Sequence, residues 1–159
     1  MNTAFFHWGA ILLFLTACWF GMLAIHEIGH ITATWASGAV VEQVILFPLP
    51  WTSASNVEIP LVVYGAGAVV GTALPLFLWF FACWLRLKTA YLFRFFAGFC
   101  LIANGAYIGG DFSVTGPSDA GFLIEHGASR PVLVLFGVLC ILAGLFLWHG
   151  QSRSFFPER

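Results

Sequence analysis

The stretch His26-Glu27-Ile28-Gly29-His30 contains the residue types of a hydrolytic metal site. Histidines four positions apart on an α-helix project from the same face, so both imidazoles can bind one metal ion. Glu27 stands beside the first histidine, where a carboxylate can take a proton from water activated by that ion. The motif ends the apolar run 5–25, and ionisable side chains inside a membrane are costly unless they have a role. The sequence therefore predicts bound zinc with Glu27 as general base. The simpler interpretation is a polar end of a membrane helix.

A third metal ligand must come from elsewhere in the chain, because catalytic zinc usually has three protein ligands and one open position. The polar segment 109–130 offers Asp119 and Asp111 as candidates, with Glu125 and His126 behind them. Asp119 has an alternative role as a helix cap, since Pro-Ser-Asp at this point is typical of a helix start. Both aspartates remain candidates at this stage.

The composition places this chemistry in a membrane. Of 159 residues, 60% are hydrophobic and 8% charged, and the mean hydropathy is +0.94. Soluble domains carry about 25% charged residues, so we expect one integral membrane domain covering residues 1–159. The net charge of -1 gives no electrostatic reason to expect nucleic acid as a partner. The expected surroundings are the lipid bilayer and other membrane proteins.

The apolar segments predict an all-α polytopic membrane protein with about four transmembrane helices. A β-rich stretch broken by prolines follows the first span, and it predicts a short β-hairpin or re-entrant segment. Its edge strand either pairs with an extended substrate or serves only as a connector. Gly67 and Gly71 are spaced for close helix packing, expected against the first span. The predicted spans are residues 5–36, 61–85, 90–108 and 131–148.

The distribution of basic residues predicts the orientation. Five of the six lie on the side of the membrane shared by both termini, and the positive-inside rule then places the termini in the cytoplasm. The hairpin and the segment 109–130 fall on the other side. The five residues are Arg86, Lys88, Arg94, Arg153 and Arg159.

With these features the chain resembles the site-2 protease family of intramembrane zinc metallopeptidases. The resemblance covers most of the chain: the HExxH helix, the β-rich segment after it and the glycine-rich span 65–71. The family's second motif is an Asn, then prolines, then an Asp followed by two glycines. It aligns without gaps on residues 111–121, where Pro117 and Gly121 match. The resemblance implies that His26, His30 and Asp119 bind zinc.

Two positions depart from the family pattern. Asp111 stands where the family has an Asn thought to position substrate or stabilise the oxyanion, and Ala120 replaces the first glycine. A carboxylate donates a hydrogen bond only when protonated. Two alternatives follow from this departure. Either Asp111 binds the metal, or Asn104, two turns earlier on the same helix face, supplies the amide that the family's Asn provides. The family usually places zinc nearer the cytosol, whereas the basic residues here predict the opposite side. The chain shows no PDZ-like segment, so we expect a minimal core.

The leading hypothesis is a zinc metalloprotease that cleaves a peptide bond in or next to a transmembrane segment of a membrane protein. The alternative is a catalytically silent relative that binds partner membrane proteins, which the two departures favour and the intact Glu27 opposes. A third possibility is a metal-dependent hydrolase that acts on a lipid headgroup. The sequence does not separate that activity from proteolysis.

Overall fold

The computed structural model describes residues 3–45, 50–111 and 118–151, with side chains from Trp8 onward. Four of the described helices are long and apolar enough to cross a membrane, and they begin and end within a few residues of the predicted spans. The predicted all-α, multi-pass fold with a hairpin after the first span is confirmed. The elements are α1 (Thr3–Ala36), β1 (Val40–Ile45), β2 (Trp51–Ser55), α2 (Pro60–Trp84), α3 (Ala90–Gly110), α4 (Asp119–Glu125) and α5 (Arg130–Trp148).

The β-rich segment forms an antiparallel hairpin beside α1. Helix α1 ends at Ala36, and Gly38 then turns the chain with a positive φ of 77° that favours glycine. Val40 of β1 pairs with Ser55 of β2, and the register is irregular on the β1 side between Val41 and Gln43. Residues 46–49, between the strands, lie outside the described part of the chain.

Small residues bring the helices close together. A Cβ added to Gly29 of α1 would lie 2.5 Å from the Ala66 carbonyl oxygen of α2. One added to Gly137 of α5 would lie 2.6 Å from the Gly105 carbonyl oxygen of α3. Because lipid is as apolar as the side chains, membrane helices associate largely through such close packing. The two glycines predicted to pack against the first span contact different helices. Gly67 faces α1, and Gly71 faces α3.

Polar side chains are buried where α1, α2 and α3 meet. His26, Glu27, His30 and Asn104 have at most 7% of their surface exposed. The outward faces of the long helices instead expose many large apolar side chains, including Leu13 on α1, Phe77 on α2 and Leu142 on α5. This arrangement is the one expected of a bundle with lipid outside and a polar centre inside.

Candidate metal centre

Helix α1 brings two imidazoles together at the polar centre. One helical turn separates His26 from His30, and their Nε2 atoms lie 3.1 Å apart. His26 lies about 15 Å from the C-terminal end of α1, measured along the helix axis. Both imidazoles are therefore within the membrane-spanning segment. The HExxH motif therefore lies on a helix with both histidines on one face, as its spacing predicts.

The short helix α4 brings Asp119 to the same point. The Asp119 Oδ2 atom lies 2.8 Å from the His26 Nε2 atom and 3.1 Å from the His30 Nε2 atom. Ser118 is the N-cap of α4, and its hydroxyl oxygen accepts the Gly121 backbone N–H at 3.0 Å. Because Ser118 caps the helix, the carboxylate of Asp119 is available to the histidines.

The second ring nitrogen of each histidine faces an oxygen that can only accept. His26 Nδ1 donates to Asn104 Oδ1 at 2.7 Å, and His30 Nδ1 donates to the Val63 carbonyl oxygen at 2.8 Å. The Asn104 amide is held in this orientation because its Nδ2 donates to the Cys100 carbonyl oxygen at 2.9 Å. In the neutral rings the hydrogens are therefore on Nδ1, and both Nε2 atoms present lone pairs.

Three lone-pair atoms thus converge on one point. Two imidazole nitrogens and a carboxylate oxygen repel one another at about 3 Å unless a proton or a cation lies among them. Burial opposes the charge on Asp119, but when the imidazoles carry a second proton on Nε2, the hydrogen bonds from His26 and His30 outweigh burial and lower the pKa of its carboxyl to about 2. The Asp119 carboxyl is therefore ionised at neutral pH when no ion is present. Two neutral histidines and one carboxylate are a donor set that binds zinc and leaves a fourth position open.

The backbone of α2 closes one side of this centre. A Cβ added to Gly67 would lie 2.3 Å from His30 Nε2 and 2.6 Å from His26 Nε2. Real Cβ atoms do not approach other atoms so closely, so only glycine allows the imidazoles to keep these positions. The sequence marked Gly67 as a packing residue, and its contact with the ligand atoms was not predicted.

Glu27 is held beside the centre by the hairpin. Its side chain is buried, and the Thr52 hydroxyl of β2 donates to its Oε2 atom at 2.5 Å. Both residues line a cavity of about 780 Å³ that also contains the three candidate ligands. The rest of the wall is mainly apolar or aromatic, as in Trp19, Trp51 and Phe122.

The other candidate residues occupy different positions. Asn104 lies behind His26, away from the point where the three candidate ligand atoms converge, and its Oδ1 and Nδ2 atoms are both hydrogen-bonded. Asp111 is the acceptor of a short hydrogen bond from Ser118, the cap of α4. His126 is exposed at the end of α4, where its Nδ1 donates to the Phe122 carbonyl oxygen. Within the described part of the chain, the group of side chains able to hold a metal contains only His26, His30 and Asp119.

Three groups at the site were not predicted from the sequence. Thr52, Tyr107 and the Val63 carbonyl each contact a motif residue or a ligand. Only Tyr107 could have been identified from the sequence. It follows Asn104 by three residues, so the two side chains share one face of the helix.

Comparisons with family models, with curated proteins and with solved structures gave no match to this chain.

Proposed function

We propose that the protein is an intramembrane zinc metalloprotease that hydrolyses a peptide bond in or next to a transmembrane segment of a membrane protein. The observation that carries the proposal is the convergence of His26 Nε2, His30 Nε2 and Asp119 Oδ2 on one point beside Glu27. This is the ligand set and base that the resemblance to site-2 proteases implies.

Zinc bound by these three residues would supply Lewis acidity, which polarises a carbonyl group and acidifies water. Asn104 and the Val63 carbonyl hold the imidazoles so that the Nε2 lone pairs would be available to that ion. Such partners of ligating histidines contribute to metal affinity by fixing ring orientation. Glu27 takes the proton of the attacking water and passes it to the leaving amine.

The form of the cavity supports a peptide substrate. Strand β2 runs along its wall, so an extended backbone can lie beside Thr52 and Ser53 while apolar side chains meet Trp51 and Phe122. The substrate must be extended at the cleaved bond, because a helical peptide bond is shielded by its own hydrogen bonds. The mainly apolar wall is a poor match for a charged lipid headgroup.

The orientation is a second part of the proposal. We infer that both termini face the cytoplasm, because Arg86, Lys88 and Arg94, three of the four basic residues in the described part of the chain, lie at the end of the bundle where α2 ends and α3 begins. The start of α3 lies against the end of α5 there, as Arg94 Nη2 donates to the His149 carbonyl oxygen at 3.2 Å. Accessibility of single cysteines placed in the α2–α3 turn to an impermeant thiol reagent tests this assignment, and labelling from outside intact cells would overturn it.

The test of the function combines zinc content with cleavage. The purified protein is reconstituted in phosphatidylcholine vesicles with a synthetic single-span peptide of leucine and alanine interrupted at its centre by Asn-Gly. We expect zinc-dependent cleavage by the wild type, detected by mass spectrometry, and none by Glu27→Gln, which keeps its zinc. His26→Ala and Asp119→Ala lose zinc as well as cleavage.

Two results would contradict the proposal. A wild type that holds zinc but leaves this peptide and unfolded casein intact would favour the catalytically silent, partner-binding alternative. Cleavage retained in Glu27→Gln would remove Glu27 from the role of general base.

A further inference from the structure

Tyr107 lies between two of the candidate ligands and faces the cavity. Its ring meets the His26 ring edge to face, with centroids 5.6 Å apart and an interplanar angle of 74°. Its hydroxyl oxygen lies 3.4 Å from the backbone nitrogen of Asp119. The side chain is 45% exposed and lines the cavity that contains the ligands and Glu27.

In the described part of the chain, the Tyr107 hydroxyl group accepts one hydrogen bond and donates none. A backbone N–H can only donate, so the phenol oxygen acts as acceptor toward Asp119 through a lone pair. In the described part of the chain, no acceptor receives the Tyr107 hydroxyl hydrogen. That hydrogen is therefore available to a molecule in the cavity.

A hydrogen-bond donor beside the candidate ligands would assist hydrolysis of a peptide bond. Attack on the carbonyl carbon places negative charge on the carbonyl oxygen, and donors aimed at that oxygen lower the barrier. The neighbouring polar groups are already committed: the Asn104 amide to His26 and Cys100, and the Thr52 hydroxyl to Glu27. Asp111 accepts from Ser118.

We propose that Tyr107 is a catalytic residue whose hydroxyl donates a hydrogen bond to the oxyanion of the tetrahedral intermediate. This inference rests on the proposed function, and it supplies the donor that the Asn-to-Asp departure at position 111 removes.

The step is balanced without transfer of the tyrosine proton. The water oxygen bonds to the carbonyl carbon, the π electron pair moves to the carbonyl oxygen, and Glu27 takes the water proton. Tyr107 donates to the oxygen that gains the electron pair. When the C–N bond breaks, the pair on oxygen re-forms the C=O bond and the proton on Glu27 passes to the leaving nitrogen.

The decisive variant is Tyr107→Phe, which removes one oxygen and keeps the ring against His26. With the single-span peptide, we expect kcat to fall about 100- to 1,000-fold while KM and zinc content stay unchanged. The matched control is Tyr91→Phe, the same change on the same helix about 24 Å away, which we expect to cleave like wild type. Tyr107→Met is a second variant without a donor and should lose as much kcat.

Binding gives a second readout that needs no turnover. A phosphinic peptide with the sequence of the cleaved site places a tetrahedral oxyanion in the cavity, whereas the uncleaved peptide presents a planar carbonyl. In zinc-loaded Glu27→Gln protein, adding Tyr107→Phe should weaken phosphinic-peptide binding at least about tenfold. It should leave binding of the parent peptide unchanged.

The possible outcomes separate this inference from the proposed function. Equal kcat and phosphinic-peptide affinity in wild type and Tyr107→Phe, with cleavage intact, would overturn the role of Tyr107 alone. Loss of zinc from Tyr107→Phe would show that the phenol only positions Asp119, which also overturns it. A zinc-loaded wild type that cleaves nothing would overturn the proposed function and this inference with it.

Discussion

Asn104 Oδ1 accepts a hydrogen bond from His26 Nδ1 at 2.7 Å, so a residue of α3 sets the orientation of a candidate metal ligand on α1. The Asn104 side chain is 1% exposed, and its Nδ2 is tied to the Cys100 carbonyl oxygen. The amide is therefore fixed before any ion binds. Partners of this kind keep the second ring nitrogen protonated and direct the first at the metal.

Replacing Asn104 with leucine removes this acceptor with little change in side-chain volume. We expect zinc affinity to fall about 10- to 100-fold, because His26 loses the partner that fixes its tautomer and ring orientation. Competition with a fluorescent zinc chelator in detergent measures the change. Thr72→Val is the matched control, since it removes a buried polar group on α2 whose hydroxyl bonds only to its own helix.

An Asn104→Leu protein with wild-type zinc affinity, alongside an unaltered Thr72→Val protein, would contradict this role. The imidazole of His26 would then be oriented by the packing of the helices and not by the amide.

The sequence predicted the parts of this protein that depend on local pattern. The four spans follow from runs of apolar residues, and the shared face of His26 and His30 follows from helical spacing. The hairpin followed from the β-rich run and its turn residues. Each of these features is determined within a few tens of residues, so no knowledge of the helix packing was needed.

The rest of the site depends on how distant segments meet. The residues alone left Asp119 and Asp111 as candidate ligands, and only the resemblance pointed to Asp119, because the choice between them depends on how α4 packs against α1. Asn104 was one alternative source of an amide for the reaction, and the structure places its side chain behind His26. The contact between Thr52 and Glu27 depends on how the hairpin packs against α1. No periodic pattern of residues in the sequence indicates that packing.

The Thr52–Glu27 hydrogen bond predicts that the hairpin contributes to catalysis. Thr52→Val keeps the side-chain shape and removes the donor, so the Glu27 carboxylate is no longer held toward the attacking water. We expect kcat for the single-span peptide to fall about 10- to 100-fold, the cost of a small misplacement of a reacting group. Zinc content should not change, because Glu27 is not among the candidate ligands.

Thr52→Ser is the control for this prediction, since it keeps the hydroxyl and should retain most of the activity. Equal activity in the valine and wild-type proteins would show that Glu27 is positioned by α1 alone. Loss of zinc in the valine variant would show that the hairpin supports the whole centre.

Gly65 and Gly67, two of the three glycines of α2, predict a sharp contrast between neighbouring substitutions. Alanine at either position raises helix propensity by a similar amount, so the difference between them reports on their surroundings. A Cβ at Gly67 would lie 2.3 Å from His30 Nε2, whereas one at Gly65 would lie 3.8 Å from its nearest neighbour, the Leu123 side chain. Gly67→Ala must therefore displace the imidazoles or move α2 away from α1. We expect it to weaken zinc binding at least about tenfold.

Gly65→Ala should bind zinc like wild type and melt at the same or a slightly higher temperature. Both variants are compared by zinc content and by thermal unfolding in detergent, with and without a chelator. If the imidazoles bind zinc, the chelator should lower the melting temperature of wild type and Gly65→Ala but have little effect on Gly67→Ala. Equal zinc content in the two variants would mean that the ligands do not lie against α2 as described. The converging geometry on which the proposed function rests would then be wrong.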